Sequence, residues 1–146
     1  MVPSDKSAVQ TQICSLLVVE DEEYLRQGMV KMLHKAGSQV FEAADGSTAI
    51  DLLRANRRKF DVILLDMTIP RGSSRVVVTE AAKDRPDIRV ILTSAYSPEM
   101  IPSTMNSPQI CTFIRKPYQL GDLVSALRNV LSSQGVDSRV KNQISA

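Results

Sequence analysis

Tryptophan is absent from this sequence, and aromatic residues make up only 4% of its 146 residues. So few rings leave little with which to stack nucleic-acid bases or wall an aromatic ligand cage. Cysteine is nearly as scarce. Cys14 and Cys111 form no CxxC pair and no disulfide framework, which fits a reducing compartment. Charge of one sign is not in excess: 18 Lys and Arg face 16 Asp and Glu, for a net charge of +2, and no block of like charge is long enough for a nucleic-acid arm. These features argue against a protein that binds nucleic acid directly. No apolar run exceeds four or five residues, against the roughly 20 needed to cross a bilayer. Residues 1–12 are polar, carry Asp5 and Lys6, and lack the apolar stretch of a secretory signal. No membrane association is expected, and the expected location is the cytoplasm. No GxxxxGK[ST] occurs, which excludes a P-loop nucleotide enzyme.

What the chain does have is a globular composition, 43% hydrophobic and 23% charged, at a length that suits one domain with a sizeable core. Short apolar runs alternate with segments of helical period. Leu16-Leu17-Val18-Val19 and Val62-Ile63-Leu64-Leu65 show no polar alternation and read as strands covered on both faces, hence members of a parallel sheet. Val90-Ile91-Leu92 and 110–114 are similar, and Gln39-Val40-Phe41 is a weaker fifth strand. Between them, Glu23–Lys35 places Leu25, Met29, Met32 and Leu33 on one helical face, with Gly37 as a stop. Asp45 or Ser47 caps a second helix carrying Ala49, Ile50 and Leu53, and a third spans 73–82, before Pro86. The last helix has the clearest stripe, with Leu120, Leu123, Val124, Leu127, Val130 and Leu131 inward and Arg128 and Asn129 toward water. The fourth helix is expected to be short or broken, because 97–109 contains Pro98, Pro102 and Pro108. Residues 1–11 and 133–146 read as tails around a domain at 12–132. Five strand–helix units with right-handed crossovers give an α/β doubly wound sheet.

Such sheets bind ligands at the carboxyl ends of their strands. There the sequence places Glu20 and Asp21 after the first strand, Asp66 after the third, Thr93 and Ser94 after the fourth and Lys116 after the fifth. Crowded carboxylates stay ionised at neutral pH only beside a cation. Mg²⁺, which takes oxygen ligands and keeps waters alongside one or two carboxylates and a phosphate, suits that need. Asp66 ends the most apolar strand and precedes the turn Met67-Thr68-Ile69-Pro70, a setting in which a carboxylate can act as nucleophile and form an acyl phosphate. Taken singly, Asp21 and Asp66 are equally at home as helix-cap and turn residues, and Ser94 as a cap for the segment that starts at Ser97. His34, the only histidine, reads as a solvated cation at a helix C-terminus rather than a phosphoryl carrier. Cys14 and Cys111, each near the start of a strand, read as small core residues with free thiols.

LLVVEDE, DVILLDMTIP, VILTSAY and FIRKP, in that order over 15–131, resemble the receiver domain of two-component response regulators, the CheY-like family. The resemblance implies a flavodoxin-like (βα)5 fold with strand order 2-1-3-4-5. It carries the family's acidic metal pair onto Glu20 and Asp21 and its phosphoacceptor onto Asp66. It likewise puts the lysine on Lys116, the hydroxyl switch on Ser94, the aromatic switch on Phe113, and a backbone carbonyl ligand of Mg²⁺ on Thr68. The implied function is a phosphorelay receiver that takes a phosphoryl group from a histidine kinase or histidine phosphotransfer domain. It acts on no other substrate, promoting only its own phosphorylation and dephosphorylation. A homodimer through the fourth helix, fifth strand and fifth helix is compatible with the family. DMTIP and LTSAYS also resemble receivers attached to hybrid histidine kinases. Three departures stand out: the loop after Asp66 has Gly72 where the family's glycine would fall at Ser74, the fourth helix is interrupted by prolines, and Ser94 and Phe113 replace the commoner Thr and Tyr. Two other readings compete. A haloacid-dehalogenase-type phosphohydrolase also uses an Asp after an apolar strand but needs a second Asp where Thr68 stands, and a scaffolding pseudo-receiver would not need the intact acids and lysine.

Overall fold

The computed structural model describes residues 14–56 and 59–132. The expected tails, 1–11 and 133–146, lie outside these described residues. Five parallel strands, β1 (Ser15–Val19), β2 (Gln39–Ala43), β3 (Val62–Asp66), β4 (Arg89–Ser94) and β5 (Ile110–Arg115), pair in the order β2-β1-β3-β4-β5. Every residue of β1 and β3 is buried, as continuous apolar runs in the middle of a parallel sheet must be. Side chains alternate between two layers. Leu16, Val18, Val62, Leu64 and Ile91 pack under α1 (Glu23–Lys35) and α4 (Leu120–Ser132) through Met29, Leu33, Leu123 and Leu127. Leu17, Val19, Ile63, Leu65, Val90 and Leu92 pack under α2 (Gly46–Ala55) and α3 (Ser74–Asp84) through Ala49, Leu53, Val77 and Ala81. Each fully buried Leu, Ile or Val contributes about 1.5–3 kcal/mol relative to exposure, so these two layers supply most of the driving force for folding.

Helix boundaries follow local chemistry. Asp45 caps α2, its Oδ1 accepting the Thr48 N–H at 2.7 Å, so of the two candidate caps Asp45 is used and Ser47 is not. Ser73 precedes α3 rather than opening it, its Oγ accepting the Val76 N–H at 3.2 Å. That helix runs two residues past its expected end and stops at Arg85, where the following Pro86 disfavours helical dihedrals. Gly37 ends α1 with φ 99°, a conformation that costs glycine little. The fourth crossover holds two 3₁₀ turns, Pro98–Met100 and Ser103–Met105, instead of an α-helix, as the three prolines of 97–109 require. In consequence α4 stands where the expected fifth helix belongs.

One expectation fails. Cys14 is buried, but Cys111 is exposed rather than part of the core. It lies on β5, an edge strand with a register shift opposite Val90 and Ile91, and only partly covered along its length. Both thiols are free, and β3 and β4 separate β1 from β5, as the order implied. Burial, then the Asp61 carboxylate, push the Cys14 thiol up to about 11, so it stays a protonated packing group.

Candidate functional site

β1 and β3 are neighbours whose crossovers leave in opposite directions, so a crevice opens at their carboxyl ends. Glu20 sits in it at 1% exposure, Asp66 at 5%, and Asp21 at the open rim. One carboxylate oxygen from each of the three lies within 4.8 Å of the others. Three hard anionic oxygens at that spacing match what a divalent cation such as Mg²⁺ takes. Lys116 reaches in from the end of β5, its Nζ 3.0 Å from Glu20 Oε1 and 3.0 Å from Asp66 Oδ2. The remaining carboxylate oxygens bond the backbone: Glu20 Oε2 accepts the Glu22 N–H at 3.1 Å, and Asp66 Oδ1 accepts the Thr68 N–H at 3.0 Å.

Burial is the largest influence on Glu20 and pushes its carboxyl above the ordinary carboxylate value, despite the opposing Glu22 N–H and Lys116 ammonium; the Asp66 charge adds to the rise. For Lys116, burial works the other way, but hydrogen bonds and charge from Asp66 and Glu20 outweigh it and hold the ammonium above an ordinary lysine. The lysine therefore offsets the burial of Glu20 only in part.

Ser94 is fully buried one strand over from Asp66. Its carbonyl accepts the Lys116 N–H at 2.7 Å, joining the ends of β4 and β5, and the Lys116–Pro117 bond is cis. Its Oγ accepts the Tyr96 N–H at 2.9 Å, which leaves the hydroxyl hydrogen free to donate elsewhere. Phe113 lies three residues before Lys116, half-buried against the layer that includes Leu92 and Met105. The structure thus gathers Glu20, Asp21, Asp66 and Lys116 into one cluster, puts Ser94 beside it, and keeps Phe113 back along β5. Thr68 joins through its N–H, and its side chain is exposed.

The chain matches the family model of the response regulator receiver domain over residues 16–128. It belongs to that family. Receivers are the signalling domains of two-component response regulators. This receiver is 28% identical over 120 residues to the sensor kinase CckA of Brucella abortus, a match that spans 82% of this chain and 13% of the kinase. It is 25% identical over 116 residues to the response regulator receiver protein CpdR of the same organism, spanning 80% of this chain and 95% of CpdR. A receiver protein of Sinorhizobium medicae shares its fold with a TM-score of 0.75 at 19% identity, covering 86% of this chain and 99% of that one.

Other residues that shape this receiver's site are not singled out by sequence. Arg26, on α1, donates from its guanidinium to the Glu20 carbonyl at 2.9 Å and from Nε to Glu42 Oε1 at 2.9 Å, tying the acidic loop to β2. Tyr118 is pushed up to about 12 by burial and by the Glu20 charge, so its phenol stays neutral beside the acids. The loop after Asp66 folds against α2: the Gly46 N–H bonds the Pro70 carbonyl at 2.9 Å, and a β-carbon on Gly46 would meet the Arg71 carbonyl oxygen at 2.8 Å. Arg71, at φ 54°, and Gly72, at φ 120°, carry the left-handed turn there, so Ser74 does not need glycine's freedom. Among the described residues no helix is long and apolar enough to cross a membrane.

Proposed function

We propose that Asp66 accepts a phosphoryl group from a histidine kinase or histidine phosphotransfer domain, and that the modified site changes which partners the receiver binds. The observation that carries this reading is the Asp66 carboxylate, buried at the end of β3 with Lys116 on one oxygen and two further acids alongside. An Asp66 oxygen attacks phosphorus, the bond from phosphorus to the donor imidazole breaks, its electron pair leaves with the imidazole, and an acyl phosphate forms. Glu20, Asp21 and Asp66, with the Thr68 carbonyl, would hold Mg²⁺, which supplies neutralisation of the phosphoryl oxygens when bound. Lys116 offers a mobile positive charge to the same oxygens, and the Ser94 hydroxyl, with its hydrogen free, donates to one of them. The direct test is intact mass after incubation with Mg²⁺ and acetyl phosphate. One added phosphoryl group is expected, and no gain would defeat the reading. We assign the receiver unit to residues 12–132. The free thiols of Cys14 and Cys111 support a reducing, cytoplasmic setting.

Asp21 supplies its oxygen from the rim and is exposed, so replacing it removes a charge without opening the core. Asp21→Ala should keep the fold and weaken Mg²⁺ binding at least about tenfold. Equal affinity in variant and parent by titration would remove Asp21 from the ligand set.

Signalling follows from Ser94. A phosphoryl oxygen draws its hydroxyl inward, the space it leaves admits the Phe113 ring, and the site becomes coupled to the face formed by 97–109, β5 and α4, the face on which a homodimer would also form. This is a two-position element biased by modification, the least an allosteric mechanism requires. Phe113 has no phenol oxygen to anchor either position, so the gap between them is small. Beryllofluoride should shift NMR resonances from Tyr96 to Phe113. Shifts confined to the pocket would show that this coupling does not operate.

A further inference from the structure

The peptide group between Met67 and Thr68 is held at both ends. Its N–H, on Thr68, donates to Asp66 Oδ1 at 3.0 Å, and its carbonyl, on Met67, accepts from Ser74 Oγ at 2.9 Å. Because a peptide unit is planar, these two bonds fix one rigid plate, and the hydroxyl at one edge sets where the N–H at the other edge points. Met67 is anchored by its own N–H, which donates to the Thr93 carbonyl at 2.8 Å, so the plate's remaining freedom is rotation about the flanking dihedrals. The Ser74 hydroxyl is what opposes that rotation.

We infer that Ser74 is a positioning residue for Asp66, acting through the Met67–Thr68 peptide. The inference rests on Asp66 as phosphoacceptor. Ser74 is suited to the task because it is itself immobile. It is buried in the first turn of α3, directly after the Ser73 cap, and Met105 Sδ lies 3.7 Å from its Oγ. The left-handed residues Arg71 and Gly72 turn the chain back so that position 74 returns beside position 67. Gly46 and Asp45 brace the outside of this turn, through the Pro70 carbonyl and an ion pair of 3.5 Å to Arg71. A glycine at 74 would offer no hydroxyl and would leave the Met67 carbonyl unheld. Here the special backbone angles have moved to 71 and 72, and position 74 is free to carry a side chain that orients the acceptor.

Orientation matters because a carboxylate that wanders from its attack geometry loses rate steeply. In the full chain, Ser74→Ala should accept phosphoryl from acetyl phosphate about tenfold more slowly at saturating Mg²⁺, the effect of one lost orienting bond. Its Thr68 amide should shift and exchange faster by NMR in metal-free protein, while Ser74→Thr, which keeps the hydroxyl, stays near the parent in both measurements. Ser74→Gly should match Ser74→Ala and serves if the alanine variant does not fold. A folded Ser74→Ala with an unchanged rate would overturn the inference, as would a slower rate with an unmoved Thr68 amide, or equal losses in the Ala and Thr variants. If the parent itself takes no phosphoryl group, the reading of Asp66 fails, and the Thr68 amide still decides whether Ser74 controls that peptide.

Discussion

Asp66→Asn should gain no phosphoryl mass under conditions in which the parent gains one group. The expected loss is complete rather than partial, because an amide oxygen cannot form the acyl phosphate that a carboxylate forms. The substitution is nearly isosteric: the Asn carbonyl oxygen can still accept the Thr68 N–H, and Lys116 keeps its bond to Glu20 Oε1, so the loop and β5 each keep an anchor. Part of the upward pressure on Glu20 comes from the Asp66 charge, so the Glu20 carboxyl should also move back toward its ordinary value in the variant. Loss of phosphorylation with fold retained is therefore the signature, read by intact mass and by NMR of the β3 and β4 amides. The alternatives are concrete. Ser94 is a buried hydroxyl one strand away, and His34 is exposed in the last turn of α1. A mass gain that persists in Asp66→Asn and maps to either residue would sink the assignment.

Why so much of this was legible in the sequence has a physical explanation. β1 and β3 announce themselves because a strand covered on both faces has no polar positions to confuse it with a helix. Once the strands are placed, the acids at their carboxyl ends are placed too, since one-residue steps along a strand leave no freedom about which residue follows its last rung. That is why Glu20, Asp66 and Lys116 could be brought together from sequence and are found within 3.0 Å contacts. Cys111 was misjudged because the apolar run around it carries no mark of an edge strand; exposure there depends on what covers β5 from outside. The role of Ser74 was hidden for a related reason. Its position beside Met67 depends on left-handed angles at Arg71 and Gly72, and Arg71 is not a residue from which such an angle is read. Arg26 reaches both Glu42 and the Glu20 carbonyl only after α1 has packed on the sheet.

Lys116→Met tests the electrostatics most severely. The ammonium lies 3.0 Å from both Glu20 and Asp66, and methionine fills similar space without charge, so the variant leaves two buried carboxylates facing each other. Removing one partner from a buried ion pair costs about 3–5 kcal/mol, and the partial exposure of Lys116 puts the expected loss near the bottom of that range or below, about 2–3 kcal/mol at neutral pH without metal. The pH dependence has a definite sign. Glu20 titrates above its ordinary value of 4.5 in the folded state, so the stability linked to it is fully present below that value and is lost as pH rises through the folded value. Without the ammonium, which lowers it, the Glu20 carboxyl moves further up. The penalty in Lys116→Met should therefore be small near about pH 4 and full at neutral pH. Lys116 itself titrates above 10.5, so its contribution to the parent is present below that value and declines above it, a decline that the variant lacks. Bound Mg²⁺ would return positive charge to the same carboxylates, so it should stabilise Lys116→Met more than the parent in urea unfolding, even as the variant loses the lysine's help with the phosphoryl oxygens. Equal destabilisation at acid and neutral pH, or no greater stabilisation by Mg²⁺ in the variant, would show that Lys116 does not balance the charge of these two acids.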